Sequence, residues 1–172
     1  MNAITPATSQ HLPVPQLAMS QYLTFMLAGE VYAIGILNIK EIIDYDYLTD
    51  VPMMPEFVRG VINLRGSVVP VIDLLARFDQ GHTQVAKRTG IVIVETDRGE
   101  AASQPLMGII VDAVNEVVGI AAEDIAVPPS FGVDIRPEFI SGMVKRNGGF
   151  IVVLNVDTVL SIEEMISLSI AK

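Results

Sequence analysis

An all-β fold, built as two similar small barrels that arose by internal duplication, is expected from three features of the chain. Pro55 to Phe78 (PEFVRGVINLRGSVVPVIDLLARF) aligns without a gap on Pro137 to Leu160 (PEFISGMVKRNGGFIVVLNVDTVL), sharing Pro-Glu-Phe, a Gly at Gly60 and Gly142, and two apolar runs around a polar turn. Upstream of each copy a second pair of segments matches, Ala33 to Ile42 beside Gly108 to Val117, with a spacing that differs by a few residues, as a loop insertion produces. The apolar residues fall in short β-branched runs separated by Gly, Asn, Asp and Pro, which is the punctuation of strands and hairpins. The chain is 51% hydrophobic with few aromatic residues, so Val, Ile, Leu and Met must fill the core, and packing two barrels together helps each small unit bury its surface.

In chain order, residues 1–20 are rich in Thr, Ser, Gln and Pro and are expected to be a flexible tail. The first module is expected over 21–78. Tyr22 to Leu27, a turn at Ala28-Gly29-Glu30 and Val31 to Ile36 read as a strand, a turn and a strand. Asn38 to Glu41 has the spacing of an N-cap followed by Glu, so either one helical turn or a strand fits there. Pro52 and Pro55 interrupt the next loop; Pro55 suits a first helical position and Gly60 a C-terminal cap, giving a single turn before the central hairpin. Pro70 lacks an N–H, which predicts an edge strand or a bulge. Residues 79–89 are polar and read as a linker, and the second module is expected over 90–160, opening with Gly90 to Glu95, a turn, and Leu106 to Val111. Ser161-Ile162-Glu163-Glu164 is a capping box, so 161–172 should form a short amphipathic helix docked on the body.

Composition and motifs exclude most chemistry. The net charge of −9 repels phosphate backbones, so nucleic acid is not an expected partner. The chain has no cysteine, no export signal is legible, and no window gives the ~20 apolar residues of a membrane span. A cytoplasmic protein with no direct membrane insertion is expected. The two histidines, His11 and His82, lie in the tail and the linker, away from any apparent nucleophile, and the phosphate-loop, esterase and dinucleotide signatures are missing. Asp44 with Asp46 and Glu123 with Asp124 lack calcium-loop spacing and read as solvated carboxylates. No catalytic residue, cofactor or metal is therefore expected.

Arg65 stands apart because the duplication supplies its control. Its counterpart is Asn147, which with Gly148 forms a favourable hairpin turn, since Asn and Gly both tolerate positive φ and Arg does so less readily. If Arg65 shares that geometry, it serves something other than the turn; an ordinary solvated Arg in a looser turn fits the residues equally. Ile39, beside Lys40 and Glu41, fits the core slightly better than an apolar contact in a charged rim.

Tyr32-Ala33-Ile34, Ile39-Lys40-Glu41-Ile42, Asn63-Leu64-Arg65-Gly66, Val69 to Leu74, Gly108 to Asp112 and Asn115-Glu116-Val117 together resemble the CheW family of bacterial chemotaxis coupling proteins, over about Tyr22 to Leu160. The resemblance implies two five-stranded SH3-like barrels and a non-catalytic adaptor joining chemoreceptor tips to the regulatory domain of the histidine kinase CheA. It implies partner contacts at Arg65, Ile39 and Glu41, and at Ile91 and Val117 near a groove between the barrels. Gly35, where the family often has Asp, and Leu75, where it often has Arg, depart from the pattern and leave open a paralogous chemosensory array, such as one controlling twitching motility. A small ligand-binding barrel and an acid/base enzyme are the alternatives of other classes; the first needs a hollow interior, the second convergent polar groups in a pocket.

Overall fold

The computed structural model describes residues 19–46, 48–95, 106–127 and 135–161. Within them ten strands run in order: β1 (Met19–Leu27), β2 (Glu30–Gly35), β3 (Ile39–Asp44), β4 (Val58–Leu64), β5 (Ser67–Asp73), β6 (Gly90–Glu95), β7 (Leu106–Val111), β8 (Ala113–Ala121), β9 (Ile140–Arg146) and β10 (Gly149–Leu154). One-turn helices α1 (Leu74–Arg77) and α2 (Val156–Val159) follow β5 and β10. Asn38 does not cap a helix: it is the last residue of a short 3-10 turn over Ile36–Asn38, and the chain goes straight into β3. The expected C-terminal helix lies outside the described residues apart from Ser161, as does the tail before Met19; the first strand already includes Met19 and Ser20.

The strands form two five-stranded sheets, ordered β8-β1-β2-β10-β9 and β3-β6-β7-β5-β4. When β6 to β10 are renumbered as the second copies of β1 to β5, the two orders are identical. The duplication is real, yet neither barrel is a contiguous module. Each sheet takes its leading hairpin, β1-β2 or β6-β7, from one repeat and its other three strands from the other. The boundaries 21–78 and 90–160 therefore delimit the repeats rather than the barrels.

Chain reach explains the exchange. In the first sheet β2 and β8 both run antiparallel to β1, so they run parallel to one another on either side of it. Were a repeat to close its own barrel, β3 would take the place of β8, and the link from β2 would have to return along the whole strand, about 20 Å. Only Ile36–Asn38 is available, which spans about 10 Å at most. Between β7 and β8 there is only Asp112. The short links hand the chain to the other sheet instead.

Strand alternation then divides the apolar residues among three cores. Val31 and Ala33 of β2 and Ile151 and Val153 of β10 face the interior of the first barrel. Val69 and Val71 of β5 with Ile91 and Ile93 of β6 fill the second. The opposite faces of the same strands, including Tyr32, Ile34, Ile72, Val92, Val94 and Leu154, meet in a larger core between the barrels. Phe57 and Phe139, equivalent in the repeat, sandwich the Arg77 guanidinium at 4.8 and 4.6 Å, and its Nε donates to the Val159 carbonyl at 2.7 Å.

Two local expectations resolve in physical terms. Gly60 and Gly142 are fixed by close approach: a Cβ on Gly60 would sit 2.6 Å from the Thr49 carbonyl oxygen, and one on Gly142 2.2 Å from Ile125 Cγ2. At both places an incoming loop bridges to the strand, Thr49 to Val61 and Ala126 to Met143. β5 is an interior strand, not an edge, and the register shift in its pairing with β4 falls between Val58 and Gly60 rather than at Pro70; Pro70 is tolerated because the parallel ladder to β7 begins only at Val71.

Candidate protein-interaction site

The β4–β5 hairpin turns on Arg65 and Gly66 at φ 50° and 88°, and the β9–β10 hairpin on Asn147 and Gly148 at 51° and 81°. Arg65 thus adopts the left-handed conformation that suits Asn, the tighter of the two geometries open from the sequence. The turn is held by the Asn63 side-chain oxygen, which accepts from the Gly66 N–H at 2.9 Å.

What this conformation achieves is visible at the guanidinium. Arg65 Nη2 donates to Glu41 Oε1 in an ion pair that ties the hairpin tip to β3 across the barrel surface. The Arg65 side chain is 74% exposed and that of Glu41 28%, so the pair presents a fixed cation to solvent over a partly covered carboxylate. The hydrogen bond that Arg65 donates to Glu41, and then the carboxylate's charge, raise the guanidinium pKa above its already high value, so Arg65 is a cation at every physiological pH. Glu41 is aimed there by a bulge: the β3–β6 register shifts between Ile39 and Glu41, and an equivalent shift marks β8 against β1, where Thr24 Oγ1 donates to the Glu116 carbonyl at 2.7 Å and accepts from its N–H at 3.1 Å.

The five residues singled out in the sequence do not gather at one place. Arg65 and Glu41 do. Ile39 is half-buried and packs on the core between the barrels. Ile91 is fully buried inside the second barrel, above the space that Gly108 leaves, where a Cβ would come within 2.9 Å of Ile91 Cγ2. It cannot touch a partner in this fold, and its assignment as a contact is corrected to core. Val117 is 52% exposed, but on β8 of the other sheet.

Two further exposed apolar residues, on the strands β3 and β5, were missed from the sequence. Ile42, next to Glu41, and Val68, just beyond the turn, are large apolar side chains left exposed. Their repeat counterparts are Val117 and Phe150, exposed as well. The signal was available, because Ile42 aligns on Val117, but the strand alternation that places Ile42 outside and Ile43 inside depends on the bulge. The departures from the family pattern separate in the same way: Leu75 is buried in α1, whereas Gly35 lines an open cleft of about 360 Å³ with Tyr22, Asn38 and Asp157. Among the described residues no group of three or more His, Cys, Asp or Glu is arranged to hold a metal ion.

With fold and surface in view, comparison with known proteins is decisive. Residues 21–164 match the family described as CheW-like domain. The chain belongs to the CheW-like family. It is 34% identical over 145 residues to the chemotaxis protein CheW of Klebsiella aerogenes, covering 84% of each chain. It is 32% identical over 111 residues to protein FrzA of Myxococcus xanthus, covering 64% of this chain and 65% of that one. The crystal structure of the scaffolding protein TtCheW from Thermoanaerobacter tengcongensis superposes with a TM-score of 0.75 at 32% identity, over 94% of this chain and 95% of that one. Two five-stranded SH3-like barrels are therefore the fold of this CheW-like chain, as the sequence resemblance implied. No described helix is long and apolar enough to cross a membrane.

Proposed function

We propose that this protein is a non-catalytic, cytoplasmic adaptor that couples chemoreceptor tips to the regulatory domain of the histidine kinase CheA, with Arg65, Glu41, Ile42 and Val68 forming part of its partner surface. The observation that carries this reading is the Arg65 turn. A residue poorly suited to φ 50° stands where the other repeat has Asn, and its cation is held by Glu41, while β3 and β5 also carry the exposed apolar side chains Ile42 and Val68. A small apolar contact rimmed by a positioned Arg is the composition of a transient interface in which a few residues dominate. Membership of the CheW-like family supports the partner class. The filled barrel interiors argue against a ligand-binding barrel.

The test is co-sedimentation with a receptor cytoplasmic bundle and CheA, reading kinase activity in the same tube. Receptor-dependent activation on adding this protein is the expected result, and failure to sediment with either partner would refute the reading. The similarity to FrzA, with the Gly35 departure at an exposed cleft, supports a second reading, an adaptor of another chemosensory array such as one for twitching motility. A panel of receptor bundles from different arrays in that assay decides between the two.

A further inference from the structure

Because the links after β2 and β7 are too short for a repeat to close its own barrel, every repeat must borrow a hairpin from another repeat. Within one chain the lender is fixed only by the connection at 79–89. From this we infer that two copies of the chain exchange repeats, the first repeat of one copy closing both barrels with the second repeat of the other. The partner is a second copy of this chain, and the surface it uses is the one already buried between the repeats. Phe25, Tyr32 and Ile72 from the first repeat and Ile109, Phe139 and Leu154 from the second already meet there. No new interface has to form, which is what makes exchange a low-cost route to a dimer.

The connection is built as a sharp fold-back, and its backbone decides between the two forms. Asp79 and Gly81 hold φ of 65° and 105°. Gln80 N–H donates to the Leu75 carbonyl at 2.8 Å, and Thr83 is clasped to the Asp73 carboxylate through its N–H at 2.9 Å and its hydroxyl at 3.1 Å. An exchanged dimer needs this segment to run out extended. A Cβ on Gly81 would meet nothing within 4 Å, so a substitution there acts through the backbone alone. Valine, which favours extended backbone and resists positive φ, penalises the fold-back and leaves the extended form untouched. The dimer would carry two complete Arg65 surfaces on one particle, and bivalence of that kind raises avidity without any new contact.

The experiment compares wild type, Gly81→Val and Gly29→Val, refolded from concentrated and from dilute denatured solution and sized by light scattering. Gly29, at φ 83° with equally open space, lies in the β1–β2 turn, so Gly29→Val carries similar backbone strain without touching the connection. The expected result is a species of twice the 18.6 kDa chain mass for Gly81→Val, favoured by concentrated refolding, with Gly29→Val matching wild type. That species should persist on dilution, and tagged and untagged chains should mix in it only when refolded together. Monomer alone for Gly81→Val would overturn the inference, and so would dimers that mix from folded chains or part on dilution. Should Gly81→Val not fold, wild type refolded from concentrated solution carries the same test: a persistent dimer upholds exchange and its absence refutes it.

Discussion

Asp73 and Asn155 occupy the same position in the two repeats, each capping a one-turn helix, and their removal should have very different costs. Asp73 is fully buried and accepts four hydrogen bonds: from Leu75 N at 3.1 Å, Thr83 N at 2.9 Å, Thr83 Oγ1 at 3.1 Å and Arg59 Nη1 at 2.6 Å. Asp73→Ala strands two backbone N–H groups on residues 6% and 2% exposed, each costing about 1–3 kcal/mol when unsatisfied. The Thr83 hydroxyl can rotate, and Arg59, with 24% of its side chain exposed, recovers water and adds little. The loss comes to about 3–5 kcal/mol, on the order of 10 °C in Tm for a chain of this size. Asn155 accepts one bond, from Thr158 N at 3.3 Å, and Asn155→Ala should cost about 1 kcal/mol, or about 3 °C. Asp73→Asn is the sharper variant. Although Asn is the residue of the other repeat, its amide hydrogens would face donors on Thr83 and Arg59, so it should approach the alanine variant in cost. Repeat 2 has Ser141 where repeat 1 has Arg59, which is why Asn suffices there. Urea and thermal melts by circular dichroism read all three, and equal shifts for Asp73→Ala and Asn155→Ala would show that the buried hydrogen bonds of Asp73 do not set its cost.

Gly142→Ala places a Cβ 2.2 Å from Ile125 Cγ2 and 3.0 Å from the Ala126 carbonyl oxygen, and overpacking of that kind costs about 1–3 kcal/mol; a melt unchanged from wild type would count against the close approach. Ile91→Ala empties part of the second barrel's interior and should cost about 2–5 kcal/mol, whereas a surface contact at Ile91 would instead weaken partner binding with stability intact. Val117→Asp, on an exposed face of β8, should leave the melt within about 0.5 kcal/mol of wild type, as denaturant titration will show.

Much of this was legible in the sequence because it is local. The β-branched runs, the hairpin turns and the duplication that aligns Arg65 with Asn147 all depend on neighbours a few residues apart. The pairing of repeats was not legible, since a strand such as β2 satisfies the same alternation whichever repeat supplies its partners. Only the sheet order, combined with the three residues between β2 and β3, forces the exchange. Ile91 was misassigned for a related reason: Ile91 and Val92 both lie in an unbroken apolar strand, buried on both faces, where alternation carries no information. Ile42 was overlooked because a one-residue bulge at Lys40 sets which face it joins.

In the proposed adaptor, Arg65 is kept at the hairpin tip for a partner and not for the turn. Arg65→Asn tests it most directly, because it copies the other repeat's turn, in which Asn147 already sits at φ 51°. Kinase activation in receptor arrays, measured beside the thermal midpoint of the same preparation, should fall roughly tenfold or more, as loss of a dominant interface Arg does, while the midpoint holds level or rises. Activation equal to wild type would leave Arg65 a turn residue with no part in partner binding.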